Sequence, residues 1–278
     1  MILLRRRGLV ALGMGLVAPA RIFAATASKT APPQPGADLP VPASGSLRFR
    51  IMRNGNVIGT HGLTFTQKGR TDQPPPAATT AAAGSPPGNA KPAPTPVPAP
   101  AKPPPVLGPL TVKVVIDIAV KLGPIPLYRY NNESTEIWDG DTLTRFESKT
   151  NDNGTHTKVM ARRDGGTLWV ETIKEKYAAP EGAIVTTYWN PRTLSAPLID
   201  NIDGKLLHAK IVALGPETIQ AANGDRIEAV HYAASGDLNV HLWYAEDKAK
   251  PGEAPPPKHW VGLALTGSDG SHITYERL

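Results

Sequence analysis

The chain has 278 residues, no cysteine, 30 prolines and a formal charge of +6. The lack of cysteine excludes disulfides, thiol catalysis, zinc–thiolate sites, iron–sulfur clusters and a lipid on an N-terminal cysteine, so an ordinary apolar core must hold the fold. Residues 1–27 carry four arginines and no acidic residue; setting them aside lowers the charge to +2 and leaves no dense basic patch for nucleic acid or for a membrane surface.

The N-terminus reads as an export signal over residues 1–27. Arg5, Arg6 and Arg7 precede an apolar run from Gly8 to Pro19, and Ala25-Thr26-Ala27 fits a signal-peptidase site. The apolar run is too short to span a bilayer. The pattern RRRGLVALG resembles a twin-arginine signal, with an ordinary secretory signal as the alternative. Either route predicts a mature chain in the periplasm or secreted, without a transmembrane span.

Residues 28–45 are rich in Pro and Ala, and residues 71–109 hold 14 prolines in 39 residues. Such stretches bury too little apolar surface to offset chain entropy, which predicts disorder. Residues 46–70 lie between them and are too few for an independent core. Yet Leu47, Phe49 and Ile51 alternate with Arg48, Arg50 and Met52 before Asn54-Gly55, a strong hairpin signal, and a second strand follows in VIGTHGLTFTQ. Beyond the prolines, Leu110, Val112, Val114, Ile116, Ile118 and Val120 share one face of a strand. The hairpin needs a partner and this strand offers one. The expected organisation is one β domain over 46–278, interrupted by a disordered Pro-rich insertion at 71–109, which closure entropy tolerates.

The remaining chain alternates short strands with turns at Asp139-Gly140, Asp164-Gly165-Gly166, Ser235-Gly236-Asp237 and Asp269-Gly270. AIVTTYW and KLLHAKIVAL add strands, and one short helical turn is expected around Asn190–Leu198. The spacing predicts an all-β antiparallel meander forming a small barrel or a strongly curved sheet. The stretches YRYNNESTEIWDGDTLTRFESKTNDNG, YWNP, VHYAASGDLNVHLWY and DGSHITYERL resemble an exported bacterial family known as domain of unknown function 6134. The resemblance implies an exported β-rich domain and brings no catalytic residues.

No reaction motif is visible. Asp139 with Asp141, and Asp200 with Asp203, sit in turns, where Asp is favoured for backbone reasons. NDNG at 151–154 lacks the further acidic ligands of a calcium loop. GSDGS at 267–271 joins two strands and is not a nucleophile elbow. A three-residue turn at Ser235-Gly236-Asp237 sets His231 opposite His241, but two ligands fall short of the four of structural zinc. The reading therefore assigns no catalytic residue, no metal and no cofactor. Trp138, Trp189, Tyr232, Trp243, His231 and His241 are ligand-binding candidates. The tryptophans, with Tyr128, Tyr130, Tyr188 and Tyr244, would line an apolar pocket inside a curved sheet, and core packing is the competing reading. The expected function is a non-catalytic binding module of the cell envelope for an apolar or amphipathic ligand such as a lipid. The alternatives are an envelope interaction or structural protein tethered by its Pro-rich segment, and an enzyme without a recognisable motif.

Overall fold

The computed structural model describes residues 39–70, 107–122, 124–246 and 257–278. The expected export signal over 1–27, residues 28–38 and residues 71–106 of the expected insertion lie outside the described residues. The first hairpin joins β1 (Ser46–Arg53) to β2 (Asn56–Gln67). Its two-residue turn puts Asn54 and Gly55 both at positive φ, 48° and 81°, the twist that matches two flanking strands. Leu47, Phe49 and Ile51 are buried on one face. Just before β1, Val41 packs against the same core and its carbonyl accepts from Arg70 Nη2 at 3.1 Å. Residues 39–45 thus have a defined place, unlike the disorder expected of them, because Leu39 and Val41 supply apolar side chains that their Pro-rich neighbours lack.

Both edges of the hairpin are paired. β2 runs antiparallel to β3 (Leu110–Leu122) from Gln67↔Leu110 to Gly59↔Ile118, and β1 pairs with β16 (His272–Arg277). Gly59 allows the close approach to β3, since a Cβ there would stand 2.0 Å from the Asp117 carbonyl oxygen. On β3, Leu110, Val112, Val114, Ile116, Ile118 and Val120 are all buried. The meander continues through β4 (Ile125–Asp139), β5 (Thr142–Asp152), β6 (Thr155–Asp164), β7 (Thr167–Thr172) and β8 (Lys176–Ala178). On the other flank lie β12 (Ala209–Gln220), β13 (Arg226–Gly236), β14 (His241–Glu246) and β15 (Lys258–Thr266). Together they form one 13-stranded antiparallel sheet in the order β12-β13-β14-β15-β16-β1-β2-β3-β4-β5-β6-β7-β8.

Among the described residues the sheet is not closed: its end strands, β12 and β8, do not pair with each other. It nevertheless bends. Tyr128 on β4 and Tyr275 on β16 are four strands apart, about 19 Å on a flat sheet, yet they lie close enough for Tyr275 to help raise the Tyr128 pKa. On the opposite face, the tip of the β12–β13 hairpin reaches β16, where Ala222 N–H donates to the Arg277 carbonyl at 2.8 Å.

Residues 183–205 cross the concave side. They contain β9 (Ile184–Val185), a 3-10 helix at Pro191–Leu194 and β10 (Leu198–Ile199), and β11 (Leu206–Leu207) follows; the three short strands form a small separate sheet. The strand expected over AIVTTYW is thus confined to two residues. Beyond them the chain turns inward, with Tyr188 at φ 64°. The expected helical turn is the 3-10 helix, started by Asn190, whose side-chain oxygen accepts from Arg192 N–H at 3.0 Å. Trp189 wedges edge-on between Phe65 and Trp138, with ring centroids at 5.3 and 5.6 Å.

Candidate functional site in the hollow of the sheet

The inward face of β4 is polar. Its even positions, Tyr128, Tyr130, Asn132, Ser134, Glu136 and Trp138, are all buried. Asn132 Nδ2 donates to Ser148 Oγ at 3.0 Å and Thr150 Oγ1 at 2.8 Å on β5, while its carbonyl oxygen and the Ser134 hydroxyl have no partner. Glu136 is wholly enclosed. One carboxylate oxygen accepts from Thr187 at 2.6 Å, the other from the Trp138 indole at 2.8 Å, and the Trp189 indole donates to both at 3.2 and 3.1 Å. Burial pushes the Glu136 pKa up to about 7 against the pull of these donors. The carboxyl ties the crossing segment to the sheet and has every lone-pair direction occupied, so it is an anchor and not an open site.

The open groups lie elsewhere in the hollow. Four of the seven tyrosine hydroxyls have partners: Tyr128 donates to Asp152, Tyr177 to the Gly204 carbonyl and Tyr244 to the Tyr188 carbonyl, and Tyr232 accepts from Lys258. The hydroxyls of Tyr130, Tyr188 and Tyr275 make no hydrogen bond among the described residues. These three come from β4, the crossing segment and β16, and Tyr275 raises the pKa of both others from across the hollow. Asp200 adds to the same effect on Tyr130 and Tyr188, and burial pushes its own carboxyl upward. Tyr188 and Tyr275 are only partly buried.

His61, on β2, completes the cluster. Its ring is 3% exposed and meets Tyr275 and Trp260 edge-on, with centroids at 5.7 and 5.3 Å. Neither ring nitrogen has a partner, and burial lowers its pKa to about 3, which keeps it neutral with one donor and one acceptor. Phe49 and Trp260, with centroids at 4.1 Å and planes tilted by 38°, close this end. Buried polar groups in native proteins are almost always paired. Three phenols, an imidazole and a carboxyl from four elements thus keep much of their bonding capacity unused. The phenols stay protonated, so they offer donors.

The candidates singled out from sequence do not form one site. Trp138 and Trp189 belong to the Glu136 anchor. Tyr232 is buried beneath Lys258, whose ammonium stands 5.5 Å from its ring. His231, His241 and Trp243 lie on the opposite face. There the β13–β14 register differs from the expected one: His231 pairs with Trp243, and His241 with Ala233, so the histidines are diagonal and not directly opposite. The reason is the loop. The Asp237 carboxylate accepts from His208 N–H at 2.9 Å and is drawn toward β12, so the reversal spans 237–240, closed by Ala234 N–H to the Val240 carbonyl at 2.8 Å. Asp200, read as a turn residue, does cap its turn, accepting from Ile202 N–H at 2.6 Å, and it also lines the hollow. A groove of about 650 Å³ flanks the crossing segment, between Leu194, Pro197 and Leu198 on one side and Leu207, Ile211 and Ser235 on the other. Among the described residues no three His, Asp or Glu side chains gather to hold a metal ion, and no helix is long and apolar enough to cross a membrane.

An open antiparallel meander whose own chain crosses its concave side defines an all-β protein. The chain belongs to the family described as domain of unknown function DUF6134, whose model matches residues 107–278. No curated protein matches the sequence. The chain is also similar to a crystal structure described as a beta-barrel-like protein of domain of unknown function DUF1849 from Brucella abortus, at 9% identity and a TM-score of 0.47, over 84% of this chain and 94% of that one.

Proposed function

We propose that this chain is a non-catalytic binding module exported to the cell envelope, and that its hollow takes the polar head of an amphipathic ligand. The observation that carries the reading is the buried, unpartnered His61 ring beside Tyr275, whose hydroxyl, like those of Tyr130 and Tyr188, makes no hydrogen bond among the described residues. Protonated phenols are donors, which suits a head group with acceptor oxygens such as a carboxylate or phosphate. The export signal over residues 1–27 supports the envelope location, and replacing Arg6 and Arg7 by Lys is expected to block export through a twin-arginine route; undiminished export of that variant rules the route out.

Titration of the mature protein with dodecanoate or a lauroyl lysophospholipid, below micelle formation, tests the binding. Trp260 stands 5.7 Å from Tyr188 and 5.3 Å from His61, so occupancy should change its fluorescence. The expected result is a saturable one-site change with roughly micromolar affinity, abolished in the Trp260→Phe variant. The absence of saturation with both head-group types overturns the reading.

A further inference from the structure

On the opposite face of the sheet, three side chains from three strands stand in line. Glu217 on β12 contacts His231 Nδ1 at 2.7 Å, and His231 Nε2 faces His241 Nδ1 at 2.8 Å. The Trp243 indole donates to the same Glu217 oxygen at 3.0 Å and stacks on the His231 ring at 4.4 Å, tilted by 16°. The surroundings hold this arrangement. Ile219 packs over Gly262 so closely that a Cβ there would meet its Cδ1 at 2.9 Å, and the Ala222–Arg277 hydrogen bond pins the hairpin tip. His231 is mostly covered, while His241 is exposed and can turn about its Cβ–Cγ bond.

An imidazole that gives one nitrogen to a carboxylate and presents the other outward is the usual arrangement of a metal-ligating histidine and its supporting carboxylate. We infer that His231 Nε2 and His241 Nδ1 form a copper(II) site, with Glu217 fixing the orientation of His231 and water filling the remaining positions. The ligand set selects the ion. Two imidazole nitrogens with the remaining positions left to water suit copper(II), which binds nitrogen ligands more tightly than the other divalent first-row ions, whereas structural zinc takes four protein ligands. The metal replaces the proton that now bridges the two rings; His241 gives it up from Nδ1 and takes one at its outer Nε2, so both imidazoles bind as neutral ligands. His61 lies on the concave side and takes no part.

Copper(II) chloride titrated into the mature protein tests this through two readouts. Copper at His231 should quench Trp243, and the paramagnetic resonance spectrum should show two equivalent nitrogens. His241→Ala, at an exposed position that leaves the fold intact, should weaken the quenching at least about tenfold, and Glu217→Gln about tenfold to a hundredfold. Trp243→Phe should lose the quenching and keep the two-nitrogen spectrum. Equimolar zinc should leave the copper signal in place. The site is refuted if the two-nitrogen spectrum survives in the His231→Ala, His241→Ala double variant, or if stoichiometric copper gives neither readout; displacement by equimolar zinc refutes the choice of ion.

Discussion

At Glu136 the chemistry turns on which protonation state fits four contacts. As a carboxylate it accepts from two indoles and a hydroxyl; once protonated, it can donate to Thr187 Oγ1, 2.6 Å away, while both indoles stay on the other oxygen. Both states are satisfied, so a buried pKa of about 7 against an ordinary 4.5 acts on stability through solvation alone. The folded state holds the proton more tightly than the unfolded chain. The cost of burying the charge is therefore absent below pH 4.5, grows as pH rises, and is complete above about 7, where it reaches about 3 kcal/mol. Glu136→Gln removes the titration but sets an amide N–H₂ against an indole donor, a loss of about 1–3 kcal/mol. Denaturation midpoints of the two proteins should diverge in favour of wild type as pH falls from 8 to 4.5. A difference that stays constant over that window would show that the carboxyl does not titrate there. This residue was hidden in the sequence because β4 is polar on both faces, Arg129, Asn131, Glu133 and Thr135 outside and Tyr130, Asn132, Ser134 and Glu136 inside. Alternation then gives no sign of which row turns inward.

Among the elements, the crossing segment decides what the hollow contains. It is fixed at several points, including Thr187 to Glu136, the Tyr188 carbonyl to Tyr244, and Gly204 at φ 75° against Thr172 and Val159. A Cβ at Gly204 would stand 2.5 Å from Thr172 Cγ2 and 3.0 Å from Val159 Cγ1, in a backbone conformation that already disfavours side chains. Gly204→Ala is expected to cost about 1–3 kcal/mol, read from its urea midpoint, and to raise proteolysis within 183–205; a midpoint equal to wild type contradicts this placement. The strands of the main sheet were legible because β3 alternates cleanly and hairpins such as Asn54-Gly55 announce their turns. The crossing was not. AIVTTYW has the composition of a strand, but its residues bury on every side of an irregular chain, and composition does not report that. The register of β13–β14 was missed for a related reason, since the loop is lengthened by an Asp237 contact with His208, 29 positions away in sequence.

For the whole molecule, the first hairpin sits in the middle of the sheet, with β16 on one side and β3 on the other. Gly108 N–H donates to the Lys68 carbonyl at 2.9 Å, and Gln67 Nε2 to the Gly108 carbonyl at 3.0 Å, so the chain leaves and returns at one point. Replacing residues 71–106 by a few Gly and Ser residues should therefore change stability by only about 1–2 kcal/mol; failure of that variant to fold would show that the connection contributes contacts of its own. The sheet order follows from patterning, but the proposed binding surface does not. It joins His61, Tyr130, Tyr188, Asp200 and Tyr275 across more than 200 positions, and only the bending of the sheet brings them together. The signal that was available is slight: His61 shares its face with Leu63 and Phe65, an apolar row in which an imidazole is out of place. The most direct test is one paired measurement, of amphiphile affinity and of unfolding free energy, on the Tyr130→Phe, Tyr188→Phe, Tyr275→Phe triple variant. The hydroxyls have no hydrogen-bond partner among the described residues, so their loss should leave stability unchanged or raised, while affinity falls by about a hundredfold. Wild-type affinity in that variant, or a stability loss of several kcal/mol, would contradict the account.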